Sequence, residues 1–117
     1  MLDPLPRYDE LGSGAFDYTF DCPVGTWRAR LDMKAWGKGR NILLYFTETA
    51  TGRKYCICVF DASYYTPEDR GFDFRRAGEP GDIFELKTAK TRTGRTRFLS
   101  AKHVAAPEEW APEENSL

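Results

Sequence analysis

Residues 81–104, GDIFELKTAKTRTGRTRFLSAKHV, constrain the fold more than any other stretch of the chain. A Gly-Asp start leads into Ile83 to Thr88, which is rich in β-formers. Thr93-Gly94 marks a turn, and Thr96, Phe98 and Leu99 lead back, which is the pattern of a β-hairpin. The hairpin is also strongly basic. Lys87, Lys90, Arg92, Arg95, Arg97 and Lys102 are cations, and after Glu85 it holds no acid. A solvated two-stranded tongue of this kind suits a polyanion backbone, so nucleic acid is the first partner to weigh.

The chain before the hairpin alternates in the same period. Phe16, Tyr18 and Phe20 alternate with Asp17, Thr19 and Asp21, which predicts a half-buried front strand from Ala15. Asp21-Cys22-Pro23-Val24-Gly25 supplies a turn. From Thr26 to Trp36, Trp27, Ala29, Leu31, Met33 and Ala35 fall on a core face, with Arg28, Arg30, Asp32, Lys34 and Trp36 on a wet one. After the basic break Gly37-Lys38-Gly39-Arg40-Asn41, the run Ile42–Phe46 reads as an apolar strand. Ala50-Thr51-Gly52-Arg53 turns it, and Lys54–Asp61 returns as a third strand. Thr66-Pro67-Glu68-Asp69 has the cap residue, proline and acids of a helix start, cut short by Gly71. Phe72 and Phe74 are expected to anchor this connector, with Arg75 and Arg76 facing solvent, and Gly78–Gly81 to turn into the hairpin.

Length allows one domain with one core. The expected division is an irregular acidic lead-in over 1–13, a β-barrel domain over 14–105 and an acidic disordered tail over 106–117 carrying Trp110. Residues 14–105 hold 16 Lys and Arg against 11 Asp and Glu, so a basic body lies between acidic ends although the whole chain is at −1. No apolar run nears the roughly 20 residues of a membrane span, and MLDPLPRYDE has no basic n-region or apolar h-region, so a soluble, cytoplasmic protein is expected.

Catalysis and cofactors find little support. His103 is the only histidine and has no nucleophile motif around it. Glu68-Asp69 reads as helix-start charge, and Gly37-Lys38-Gly39 is too short for a phosphate cradle. Cys22, Cys56 and Cys58 with one histidine cannot complete a Cys/His zinc site without carboxylates, so buried reduced thiols are expected, with no metal or other cofactor.

Three meandering strands, a short helical connector and a hairpin, with one extra strand in front, make an all-β, five- to six-stranded order. Over Thr26–Val104 it resembles the OB-fold, a small Greek-key barrel, in strand order and loop placement. A sandwich or an SH3-like barrel is the alternative. The resemblance implies a ligand lying across the second and third strands, flanked by Gly37–Asn41 and Lys90–Arg95, both basic and glycine-containing.

The expected function is non-sequence-specific binding of single-stranded nucleic acid, DNA favoured. Phosphate contacts are assigned to Arg28, Arg30, Lys34, Lys38, Arg40, Lys87, Lys90, Arg92, Arg95 and Arg97. Stacking is assigned to Trp36, Tyr45 and Tyr55, with Phe98 behind them. Against this stand plainer roles: Arg28 and Arg30 pairing with Asp17 and Asp21, Tyr45 and Tyr55 as core, Lys87 and Lys102 as edge-strand guards. The competing function is a protein-binding module, a subunit or inhibitor whose aromatics anchor an interface. The tail is similar in composition to the partner-recruiting acidic tails of bacterial single-stranded-DNA-binding proteins, but it ends Asn115-Ser116-Leu117 without their hydrophobic terminal pair. A protein partner through that tail and a homo-oligomer stay open.

Overall fold

The computed structural model describes residues 5–39, 41–60, 74 and 78–106. The Thr66–Asp69 helix start, Arg40, Phe72, Arg75, Arg76 and the acidic tail from residue 107 lie outside them. Among the described residues there are five strands: β1 (Gly25–Trp36), β2 (Asn41–Glu48), β3 (Lys54–Phe60), β4 (Ile83–Lys90) and β5 (Thr96–Ala105). They form one antiparallel sheet in the order β3-β2-β1-β4-β5. Three consecutive strands meander and the fourth returns beside the first, which is a Greek key. Among the described residues no helix is long and apolar enough to cross a membrane.

β1 is long because it serves two neighbours. Its first half, from Gly25 to Arg30, pairs with β4, and its second half, from Ala29 to Trp36, pairs with β2. Between Leu31 and Met33 the register slips by one residue, so Asp32 is a β-bulge. A one-residue slip exchanges the faces of everything beyond it. Trp27, Ala29 and Leu31 therefore point into the main core, whereas Met33 and Ala35 point out to a second cluster. Lys34 and Trp36, expected on the wet face, turn inward instead. Lys34 is buried and its Nζ donates to the Phe74 carbonyl at 2.9 Å, and Trp36 is half-buried against the main core.

Phenylalanines fill that core. Phe74 is wholly buried, its ring 4.9 Å from Phe84, 6.2 Å from Phe46 and 6.4 Å from Phe98, as the expected connector anchor requires. Trp27 lies edge-on to Tyr55 at 5.3 Å, and its indole Nε1 donates to Thr88 Oγ1 at 2.9 Å. The Thr88 hydroxyl donates in turn to the Pro23 carbonyl. The buried hydroxyl thus gives its one proton and accepts one, satisfying both of its partners.

Two expectations fail outside the sheet. The front strand from Ala15 is absent: Tyr8–Glu10 and Ser13–Asp17 are 3-10 turns, and within residues 15–21 the one bridge to a strand is the parallel one from Thr19 to Tyr55. Gly12 at φ +81°, Gly14 and Ala15 give the segment little β preference. The sheet is also not closed into a barrel. β3 and β5 come within 8 Å between Cα atoms but form no ladder among the described residues. The segment from Thr19 to Pro23 occupies the seam instead. Thr19 exchanges backbone bonds with Lys54 and Cys56 on β3, and the Cys22 N–H donates to Thr96 Oγ1 on β5 at 3.1 Å. The Thr96 hydroxyl donates back to the Phe20 carbonyl at 2.6 Å.

Replacing Thr88 by Val keeps the volume but orphans the Trp27 indole N–H and the Pro23 carbonyl. A loss of about 1–3 kcal/mol is expected. Urea unfolding should show a lower midpoint at unchanged slope; an unchanged midpoint would refute the role of this hydroxyl.

Candidate functional site

The outer face of β2 and β3 is apolar. Leu43, Tyr45, Cys56 and Cys58, with Met33 and Ala35 brought out by the bulge, form a cluster that Leu11, Ala15 and Tyr18 of the lead-in cover. Asp32 fixes that cover. Its carboxylate accepts bonds from the Tyr18 hydroxyl at 2.8 Å, the Thr47 hydroxyl at 2.6 Å and Arg30 Nε at 2.9 Å. The Tyr18 ring stands edge-on to Tyr45 at 5.1 Å, and the Lys54 ammonium sits 5.5 Å from its centroid.

Beside the cover runs a groove. A cavity of about 480 Å³ lies over Leu43 and Tyr45, walled by Tyr8, Phe16 and Phe20, with Lys38 lining it. A second, of about 590 Å³, is lined by Phe20, Asp21, Gly94, Arg95 and Thr96. The two share Phe20, Cys56 and Cys58, so they lie side by side over β3, one lined by Lys38 and the other by Arg95. Phe16 is 87% exposed and Phe20 57%, which leaves two phenyl rings at its rim.

The loop at the Arg95 end is well defined. The Thr91 N–H donates to the Arg95 carbonyl at 2.8 Å, the Gly94 N–H to the Thr91 carbonyl at 2.9 Å, and the Arg95 N–H to Thr91 Oγ1 at 3.1 Å. Gly94 sits at φ +84°, which suits a residue without Cβ. Arg92 and Arg95 are exposed at the tip.

The other candidate cations divide into groups. Lys38 is exposed, Arg40 lies outside the described residues, and Lys34 is buried. Lys90 is held by the Asp21 carboxylate in an ion pair. Arg28 pairs with Glu85 at 4.0 Å and Arg30 with Asp32, not with Asp17 or Asp21. Register sets Arg28, Glu85 and Lys102 in one row across β1, β4 and β5, and Thr26, Lys87 and Ser100 in the next. Arg97, opposite Ala89, shares that outer face, which is basic and lies away from the β2–β3 groove.

Of the rings assigned to stacking, Tyr45 lies under the lead-in and Tyr55 in the main core, with Phe98 also inside. Sequence reasoning missed Phe16 and Phe20 at the rim, Asp32 as the anchor and Asn41 in the wall. The glycines at 12 and 14 are the signal that could have withdrawn Phe16 and Phe20 from a strand.

The thiols are free and hard to ionise. Cys22 Sγ donates to the Cys56 carbonyl at 3.7 Å. Burial pushes the Cys56 thiol up from 9.0 to about 12, and burial with the neighbouring Cys56 pushes the Tyr45 phenol from 10.0 to about 12. Burial also raises Cys22 and Cys58, and burial with the Asp32 hydrogen bond raises Tyr18. His103 Nε2 lies 3.5 Å from Asp82 Oδ1, remote in sequence from any of the thiols. Comparison of the chain with protein-family models, with curated proteins and with solved structures gave no match.

These shifts have a pH signature. The unfolded chain releases the thiol and phenol protons at lower pH than the folded one, so folding resists ionisation. Stability should hold below about pH 9 and fall as the pH rises from there towards 12. Urea midpoints taken across that range check it; a midpoint flat to pH 11 would contradict the burial of Cys56 and Tyr45.

Proposed function

We propose that the protein binds single-stranded nucleic acid along the groove over β3, without strong sequence preference in its phosphate contacts. The observation that carries this is the pair of adjoining cavities over β3, one lined by Lys38 and exposed Phe16, the other by Arg95, with exposed Phe20 shared by both. Single strands are held by cations tracking phosphates and by rings on which bases stack, and both sets are presented together here. Stacking falls to Phe16 and Phe20 rather than to Trp36, Tyr45 and Tyr55. Phosphate contacts fall to Lys38, Arg92 and Arg95 rather than to Lys34 or Lys90, which are engaged within the fold.

An OB-like reading of the fold agrees with this placement. The five-stranded Greek-key order, open between β3 and β5, suits a partly open barrel of that kind. In the OB-fold the loops joining strands one to two and four to five flank the ligand. Lys38 and Arg95 come from the corresponding loops of this chain.

The test is an anisotropy titration with labelled oligothymidine and oligouridine at low and raised salt, with matched duplex as control. Salt-sensitive binding selective for single strands is expected. Phe20→Ala should weaken it by about 1–3 kcal/mol per base lost from the stack. Arg92→Ala with Arg95→Ala should lower the log–log salt slope by about 1.4, at about 0.7 per phosphate contact. A folded protein that binds no oligonucleotide at low salt would refute the proposal, leaving Phe16 and Phe20 as anchors for a protein partner.

A further inference from the structure

The groove leaves a second basic surface unused. On β4, Phe84, Leu86 and Thr88 are buried, so the alternating positions Glu85, Lys87 and Ala89 lie on the outer face, and the register sets Lys102, Ser100 and Arg97 opposite them on β5. β1 adds Arg28 beside Glu85 and Thr26 beside Lys87. Arg28, Lys87, Arg97 and Lys102 are all exposed. Glu85 is the one acid in these rows, and Arg28 answers it at 4.0 Å. Lys87, Arg97 and Lys102 form no ion pair among the described residues.

The composition of this face separates it from the groove. Its rows contain cations and the hydroxyls of Thr26 and Ser100 but no aromatic ring. A single strand laid here would find nothing to cover its bases, whereas a duplex keeps its bases stacked on each other and presents phosphates alone. Along β4 the rows follow every second residue, about 7 Å apart, so three rows span about 14 Å. That is the rise of about four base pairs, at about 3.4 Å each, too short a track to hold a duplex tightly by itself.

The β4–β5 loop joins the two surfaces. Arg95 lines the 590 Å³ cavity, and Arg97, two residues on, is already on the outer face. Arg92 and Arg95 stand exposed at the tip between them. A strand leaving the groove at Arg95 therefore meets Arg97 next.

We propose that the outer face of β1, β4 and β5 seats the duplex flank of a nucleic acid whose single-stranded end fills the groove, so that the protein binds single-strand–duplex junctions. This rests on the groove binding single strands. Rings hold the unpaired bases on one side of the tip, and cations alone hold the paired backbone on the other.

Anisotropy titrations compare a labelled oligothymidine with the same oligomer as the 5′ or the 3′ tail of a short hairpin duplex, and with the blunt hairpin. At least one tailed duplex should bind about tenfold tighter than its tail alone. That gain follows from an effective concentration of about 1 mM acting on a non-specific duplex Kd of about 10⁻⁴ M. Lys87→Gln with Arg97→Gln should lose most of the gain and lower the log–log salt slope for the tailed duplex by about 1.8, at about 0.9 per duplex phosphate contact. The same variant should bind the free tail as the parent does, which also shows that it is folded. Tailed duplexes of both polarities bound no tighter than their tails, or a gain that survives the double substitution, overturn the proposal alone and return the face to an acidic protein partner. Failure of the parent to bind the tail overturns the groove reading and this one with it.

Discussion

The β-bulge at Asp32 is the constraint on which the arrangement depends. One extra residue in β1 divides the strand into a half that feeds the main core and a half that feeds the outer cluster. Without the slip, Met33 and Ala35 would compete for the interior, and Lys34 and Trp36 would face water. The bulge also aims its own side chain. An acceptor with two oxygens takes Arg30 on one and the Tyr18 and Thr47 hydroxyls on the other, so the lead-in, β1 and β2 meet at a single carboxylate. Groove, cover and core are thus set by one position.

Much of the sheet was legible because its signals are local. Alternation in β1 and the apolar run of β2 mark strands, and glycine-containing breaks mark their ends. The hairpin formed by β4 and β5 falls within a residue or two of its expected bounds. The bulge was not legible. Asp32 has the same parity and polarity as Arg30 and Lys34, so the sequence reads straight through it. The lead-in misled for the opposite reason: Phe16, Tyr18 and Phe20 alternate like a strand, yet only Tyr18 is drawn in, by a carboxylate distant in sequence. The basic loops were legible as charge. That Lys90 would be occupied by Asp21, and that Asn41 would sit buried with a spare acceptor, are matters of tertiary packing.

The seam between β3 and β5 shows how the molecule handles sheet edges. Bare edges invite pairing with other chains, and natural folds cover, twist or close them. Here neither full closure nor a helix is used over the described seam. The stretch from Thr19 to Pro23 lies between the strands, exchanging backbone bonds with β3 and both giving a bond to and taking one from the Thr96 side chain of β5. Its irregular backbone is matched by Thr96, whose hydroxyl accepts from Cys22 and donates to Phe20, a flexibility that a regular ladder does not need.

That sealing has a cost in assembly time. Thr96 meets Phe20 and Cys22 across separations of 76 and 74 residues, so the seam closes only when the whole chain has been gathered in. The meander and the hairpin, whose partners are near in sequence, have no such wait. For that interval the edges of β3 and β5 stand open, and what fits between them is a short tethered segment that every copy carries. A crowded solution of folding chains therefore offers each seam a choice between its own plug and a neighbour's, the condition under which segments are exchanged between molecules.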